Sequence, residues 1–424
     1  MKFFFPDSQD LVDPSFDFLT EDRAPDRRRQ RDDLYAHELF RNAPYDGLLV
    51  SKAIVDGSGS AAGKYTVAQR HRLLRLGVRE FFRLDERRRT SRIETMGDCG
   101  AFSYVDQEVP PFSVDDVIEF YGACGFDYGI SVDHVILGFL SEEGLLLAGE
   151  DIVPSDWVSR QHLTVELASE FFRKCRALKV PFKAVGVAQG WSPESYARAV
   201  KDLQRIGYRR IALGGMVPLK TDEIVQTLET VDGIRRRDTQ LHLLGVTRTE
   251  HLEIFARLGV TSFDTTSPLR RAFKDDKENY FTRENAFTAL RIPQVEGNPK
   301  MQQRIRSGVI DQTRARALEQ TCLAAVRDFD RGRGSLKRVL ELLTQYEALF
   351  RTVSSAHRQA YERTLSQRPW QKCQCDICRE LRVEVILFRG AERNRRRGFH
   401  NVWILNQRLH RFRRSSRVRN QGCD

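Results

Sequence analysis

Four polar side chains sit where apolar, strand-like runs of this sequence give out: Asp98 in MGDCG, Asp133 in ISVDH, Gln189 in VAQGW and Asp264 in SFDTT. The glycine pair Gly214–Gly215 in ALGGM joins them. Two carboxylates facing one sugar carbon suit glycosidic chemistry. A retaining route needs one as nucleophile and the other as general acid, about 5 Å apart. Three features point to a purine as the leaving group. Gly97, Gly100, Gly214 and Gly215 leave slots for a planar ring, Gln189 can bond an amide-like edge, and Asp133 can accept two hydrogen bonds from a guanine N1–H and 2-amino pair. Each residue also has an ordinary reading: Asp98 and Asp264 as helix or turn caps, Asp133 as an exposed strand end, Gln189 as a loop residue. It is the coincidence of all four that points to a site.

A second group of chemistry-bearing residues lies near the C-terminus. Of eight cysteines, three fall in CQCDIC, as Cys373, Cys375 and Cys378 with C-x-C-x2-C spacing, and His400 follows. Such clustering in a long chain argues for metal, not for a disulfide framework. Three thiolates and an imidazole make a closed tetrahedral shell for Zn2+, which is a structural site because no position is left for a water nucleophile. On spacing alone, His357 and His410 compete with His400 for the fourth place.

The elements that must position these residues are legible as alternation. Short β-rich runs (GLLVSKAIV, GVREFFRL, SRIETM, YGISVDHVIL, FKAVGVAQG, RRIALGG, LHLLGV, TSFDTT) are separated by helical patterns such as SVDDVIEFYGACG, SPESYARAVKDLQRIG and KTDEIVQTLETVDGI. About eight strands alternating with helices predict an α/β fold, a (β/α)8 TIM barrel, whose catalytic residues sit at the C-terminal strand ends. DERRRTS, between the second and third runs, is too short for a crossover helix, so a doubly wound open sheet is the alternative. No Gly-rich dinucleotide fingerprint supports it.

The sequence divides into a basic N-terminal arm (1–45), the catalytic barrel (46–290), a helical insertion (291–369) with a glycine break at RGRGS, and a zinc-binding subdomain with a basic tail (370–424). A formal net charge of +11 and a pI near 9.3 favour a polyanionic partner, against the plainer reading of a well-solvated basic enzyme. No apolar run approaches the roughly 18–20 residues that span a bilayer, and the KFFF start is too short for a signal peptide, so a cytoplasmic protein with no membrane partner is expected.

Taken together, these blocks resemble the tRNA-guanine transglycosylases. GDCGAFSY is similar to that family's D-S-G-G-F-Q segment, and VGVAQGWSPESYARAVKDLQRIGYRRIALGGM to its V-Q-G stretch, following helix and G-G-L turn. LHLLGVTRTEHLEIFARLGVTSFDTTSPLR resembles its Y-L-M-G-V and F-D-C-V-x-P-x-R segments, and CQCDICRE with FHN its zinc site. The resemblance covers roughly residues 46–275 and 370–408, in family order. It is nearest to the branch that modifies DNA, the 7-deazaguanine DNA transglycosylases, which the opening FFFPDSQDLVDPSFDF also resembles. Cys99, Ala101, Ser103 and His134 depart from the tRNA-type pattern.

The resemblance implies Asp264 as nucleophile, Asp98 as general acid/base, and Asp133, Gln189, Gly214 and Gly215 as base-recognition residues. It further implies that Arg270 meets backbone phosphate, and that Cys373, Cys375, Cys378 and His400 are the zinc ligands. The expected activity is exchange of guanine in DNA for a 7-deazaguanine base, 7-cyano-7-deazaguanine, with a possible accessory protein opening the duplex. Two alternatives stand beside it: the same chemistry on tRNA, and a non-catalytic nucleic-acid-binding homologue. The Asp98–Asp264 pair favours an enzyme.

Overall fold

The computed structural model describes all residues except 59–60, 86–91, 141–152, 247, 275–276 and 422–424, and the side chains of 61, 249 and 414–421 also lie outside the description. Eight parallel strands close into a barrel: β1 (Lys2–Pro6), β2 (Gly47–Ser51), β3 (Glu94–Asp98), β4 (Tyr128–Ile130), β5 (Lys183–Ala188), β6 (Arg210–Leu213), β7 (Gln240–Leu243) and β8 (Val260–Asp264). Each pairs with its sequence neighbours, and β1 closes the ring by pairing with β8, with Phe4 opposite Asp264. The open-sheet alternative is thereby excluded. Phe4, Leu49, Met96, Ile130, Val185, Val187 and Ala212 fill the barrel interior.

The flanking helices begin and end where their chemistry dictates. In α1 (Val67–Phe81), Thr66 and Gln69 form a capping box, as Ser113 and Asp116 do in α2 (Val114–Cys124). Gly125 ends α2 in the left-handed conformation. After α3 (Ser155–Ala177), helix α4 (Pro193–Ile206) starts with Ser192 accepting from Ser195 N–H and Pro193 in its first turn. Helices α5 (Thr221–Ile234) and α6 (Leu252–Arg257) complete the alternation.

Two strand expectations are corrected. GVREFFRL is not a strand: after a kink at Gly77 (φ +74°) it continues α1, and its buried residues Val78, Phe81 and Phe82 have helical spacing. The eighth strand is instead KFFFP, which composition assigns to the arm. Phe3, Phe4 and Phe5 are all buried, Phe3 stacking on Phe263 and Phe5 on Tyr45, as expected of a parallel strand covered on both faces. A run without alternation at a chain end carries no strand period. The stretch DERRRTS falls mainly on 86–91, outside the described residues; with GVREFFRL helical, α1 is itself the crossover.

Two compact units are distinguished. One comprises Met1–Gln9, Tyr45–Thr266 and Leu409–Asp424; the other, Asp10–Pro44 and Ser267–Arg408. The second unit contains the expected helices, α7 (Pro299–Arg306), α8 (Gln312–Asp330), α9 (Leu336–Glu347) and α10 (Ser355–Gln367), with the RGRGS break between α8 and α9. It also holds most of the long α11 (Gly390–Gln421).

Residues 10–44 of the segment read as a basic arm belong to the second unit, where some of the arm's arginines meet acids. Arg27 pairs with Asp13 (3.0 Å) and bonds Asp33 (2.8 Å), and Arg23 meets Glu392 at 3.2 Å. The basic tail is likewise largely internal at its start: Arg393 and Arg397 are fully buried. Composition counts these arginines but cannot see what they bond: Arg23 and Arg393 meet acids some 370 residues away, Arg27 meets Asp13 and Asp33, and Arg397 bonds carbonyl oxygens and Asn394. No helix among the described residues is long and apolar enough to cross a membrane.

Candidate active site

Every polar group expected at a strand end lies at the C-terminal rim of the barrel. Asp98 closes β3, Asp264 closes β8, Gln189 and Gly214 directly follow β5 and β6, and Asp133 lies three residues past β4. Arg270 is an exposed residue of the short helix Ser267–Arg271, which belongs to the second unit.

On one side of the rim, Asp133 and Gln189 are fully buried and joined: Gln189 Nε2 donates to Asp133 Oδ2 at 2.6 Å. Asp133 Oδ1 accepts from the Cys99 thiol at 3.1 Å, and Tyr104 reaches both Cys99 Sγ (3.0 Å) and the Asp133 carbonyl (3.1 Å). Burial raises the Asp133 carboxyl to about 6, although the Cys99 and Gln189 hydrogen bonds favour its charged form.

The glycines do not leave open slots. A Cβ on Gly97 would stand 2.3 Å from the Tyr121 ring, and one on Gly100 2.7 Å from Ala53 Cβ. At Gly214 it would meet Gln189 Nε2 at 2.1 Å, and at Gly215, whose φ is +70°, the Ile136 carbonyl at 2.4 Å. Their smallness is spent on packing the protein's own groups, and Gly214–Gly215 specifically makes room for the Gln189 amide.

Asp98 ends β3, the strand beside β4, and Asp264 ends β8. The turn after Asp98 begins at Gly100 in the left-handed region, and the Gly100 backbone hydrogen-bonds the Asp98 carboxyl. Asp98 Oδ2 accepts from Ser51 Oγ at 2.6 Å, and its Oδ1 lies 4.0 Å from Cys99 Sγ, which links it to Asp133. Burial pushes the Asp98 carboxyl up to about 7; hydrogen bonds from Ser51 and Gly100 oppose this, while the charges of Asp133 and Asp264 add to it. Asp264 is therefore close enough for its charge to be felt by Asp98. Its Oδ1 accepts from Gly245 N–H at 3.0 Å and lies 3.2 Å from His242 Nε2. A carboxyl poised near neutrality beside a tethered carboxylate is able to divide acid and nucleophile roles between them.

The sequence reading missed Ser51, Tyr104 and His242. Only His242 left a signal: a polar side chain at the centre of the apolar strand LHLLGV, where the pleat turns it toward the barrel axis opposite Ser262.

The cysteine cluster closes as expected, with His400 and not His357 or His410. The ligand atoms of Cys373, Cys375, Cys378 and His400 all lie within 4.8 Å of one another. His400 Nδ1 is 3.7, 3.4 and 3.4 Å from the three sulfurs. These are edges of a tetrahedron around an ion about 2.3 Å from sulfur and about 2.0 Å from nitrogen. Without a cation, three thiolates at that spacing would repel. The surroundings fit too: His400 Nε2 meets the Phe281 carbonyl at 2.7 Å, which leaves Nδ1 to ligate, and the Tyr280 ring stacks 4.2 Å from the imidazole. Asn401 fixes the Phe281 backbone through its N–H (2.8 Å). The four residues can hold a structural metal.

No family model matches the chain. A DNA-guanine transglycosylase from Salmonella montevideo is 51% identical to it over 412 residues, 96% of each chain. Shorter matches join it to two queuine tRNA-ribosyltransferases: 34% identity over 94 residues with that of Chromohalobacter salexigens (22% of this chain, 25% of the relative), and 33% over 89 residues with that of Pseudomonas syringae pv. tomato (20% and 24%). Full-length similarity to the first, together with a barrel rim carrying the carboxylates and amide at the expected strand ends, shows that the chain belongs to the guanine transglycosylases, enzymes that exchange a guanine base.

Proposed function

We propose that this protein exchanges guanine in DNA for a 7-deazaguanine base, 7-cyano-7-deazaguanine, through a covalent Asp264–glycosyl intermediate. The observation that carries the reading is the unequal pair at the rim: Asp98 raised to about 7, and Asp264 held by two donors on one oxygen. The choice of DNA rests on the full-length similarity to a DNA-guanine transglycosylase.

A target deoxyguanosine leaves the helix stack, at a cost of a few kcal/mol. An accessory protein that opens the duplex would lower that cost. Asp133 and Gln189 bond the Watson–Crick edge of the flipped base, and Gly214–Gly215 hold the Gln189 amide in place for this. Asp264 attacks C1′ as the C1′–N9 bond breaks, and Asp98 gives its proton to the departing guanine. The 7-deazaguanine base then enters the same place, because it presents the same edge. Its N9 proton passes to Asp98, the new C1′–N9 bond forms, and Asp264 leaves as a carboxylate. Two inversions retain the β configuration. A carboxyl titrating near 7 serves both half-reactions, as donor in the first and acceptor in the second.

Arg270 is assigned to backbone phosphate. Zn2+ is assigned to Cys373, Cys375, Cys378 and His400, where it supplies folding energy and takes no part in the chemistry. A cytoplasmic location agrees with thiolates kept reduced for metal.

The test is mass spectrometry of nucleosides from DNA and tRNA of cells expressing the protein and its Asp264→Ala variant. Deazaguanine nucleosides are expected in DNA with the wild type and absent with the variant. Their appearance in tRNA instead would move the assignment to tRNA, and ordinary modification by Asp264→Ala would remove the nucleophile.

A further inference from the structure

Asp264 offers its two oxygens unequally. Oδ1 has Gly245 N–H at 3.0 Å and His242 Nε2 at 3.2 Å, whereas Oδ2 has no hydrogen bond among the described residues. Behind this contact, His242 Nδ1 meets Ser262 Oγ at 2.8 Å. The arrangement follows from the strands. His242 and Ser262 are register partners on β7 and β8, and Ser262 and Asp264, two residues apart, share one face of β8. The Phe4 ring packs edge-on against the imidazole, 5.9 Å between centroids, and limits its tilt. With the Ser262 hydroxyl donating to Nδ1, the neutral imidazole carries its proton on Nε2, facing the carboxylate.

We propose that His242 is the positioning residue of the nucleophile: it ties down Oδ1 so that Oδ2 is the oxygen presented to C1′. The inference rests on the assignment of Asp264 above. As the C1′–N9 bond breaks and C1′–Oδ2 forms, Oδ1 becomes the ester carbonyl and keeps both donors. When N9 of the incoming base takes C1′, the C1′–Oδ2 electron pair returns to the carboxylate. The two N–H groups then stabilise its charge more strongly than they did the neutral ester. No proton moves on His242. Gly245 N–H alone leaves the carboxylate free to rotate about its Cβ–Cγ bond; the second donor fixes it.

The test measures incorporation of radiolabelled guanine into a DNA oligonucleotide and into tRNA, a readout independent of which deazaguanine base is used. Full-length wild type, His242→Gln, His242→Asn and Asp264→Ala are compared. Glutamine places an amide N–H where imidazole Nε2 stands, whereas asparagine reaches only the place of Nδ1. Both lose the ring, so the packing loss common to the two cancels in the comparison. The Gln variant is expected within about threefold of wild type. The Asn variant should lose roughly 10- to 100-fold in kcat, the size expected for a hydrogen bond to a charged group, with an unchanged KM for guanine. Wild-type kcat in His242→Asn, or equal losses in both amides, overturns the positioning role while Asp264→Ala remains inactive. Label exchange by Asp264→Ala overturns the nucleophile itself, and the inference with it.

Discussion

The barrel rim and the second unit both bury charge, and they do so in opposite ways. In the second unit the buried Arg389, Arg393 and Arg396 face acids, while the buried Arg397 is held by backbone carbonyls and Asn394. Arg389 bonds Glu21 at 2.6 and 2.7 Å and pairs with Glu319 at 2.6 Å, Arg393 pairs with Glu21 and Glu384, and Arg396 pairs with Glu392 at 2.6 Å. At the rim, Asp98, Asp133 and Asp264 are gathered with no lysine or arginine bonded to any of them among the described residues. Paired charge holds backbone segments distant in sequence in one register. Burial without a cationic partner raises the Asp98 and Asp133 carboxyls toward neutrality, where they are able to exchange protons. The difference shows in the titration. Burial pushes Glu21 up, but Arg389, Gln294 and Arg393 outweigh it and hold the group at about 2, whereas Asp98 stands at about 7.

Removing charge from each region should therefore have opposite results. The largest effect is expected at the thiolates, where the balancing cation is a metal. A strong chelator, or Cys375→Ser, should release one equivalent of Zn2+, read by atomic absorption, and unfold the second unit, since such sites contribute about 10–16 kcal/mol in small zinc domains. Retention of the wild-type melting temperature with no bound metal would contradict a structural role. Next comes Asp98→Asn. Single-turnover guanine release should slow about 10²- to 10⁴-fold, yet the protein should melt higher than wild type at pH 8. The sign follows from the raised carboxyl. Its contribution to stability is full below its ordinary 3.8 and is lost as pH rises through about 7, a loss the uncharged amide avoids. By the same titration, wild-type base release should fall as pH rises above about 7.

A smaller effect, confined to stability, is expected for Glu21→Gln, which leaves Arg389 and Arg393 short of a partner: about 3–5 kcal/mol by denaturant unfolding. The Glu21 contribution in the wild type is present above 4.5 and should be lost as pH falls toward about 2. If Glu21→Gln proved stabilising and Asp98→Asn destabilising, the contrast between the two regions would be reversed.

Much of this contrast was legible before the fold. The C-x-C-x2-C cluster and the acids at strand ends are local patterns that landed where their spacing placed them, and the β/α alternation did so except at GVREFFRL. What escaped was of two kinds. KFFFP carries no period, because a strand buried on both faces needs none. Arg27 and Arg393 counted toward the net positive charge, because composition records a charge but not the acid opposite it.

The residue order by itself narrowed the fold to a barrel or an open sheet, since the alternation of strand and helix periods admits few ways to bury both, and the pairing of β1 with β8 decided for the barrel. The residue order also determined three of the metal ligands, because three thiols within six residues can converge only on a common point, whereas spacing left the fourth place open among His400, His357 and His410. Tertiary structure alone decided which charges are silent and which react. Ser51, Gly245 and His242 reach their carboxylates from neighbouring strands and the loops that follow them, and an electrostatic environment is a sum over such distances in space, which positions along the chain do not contain.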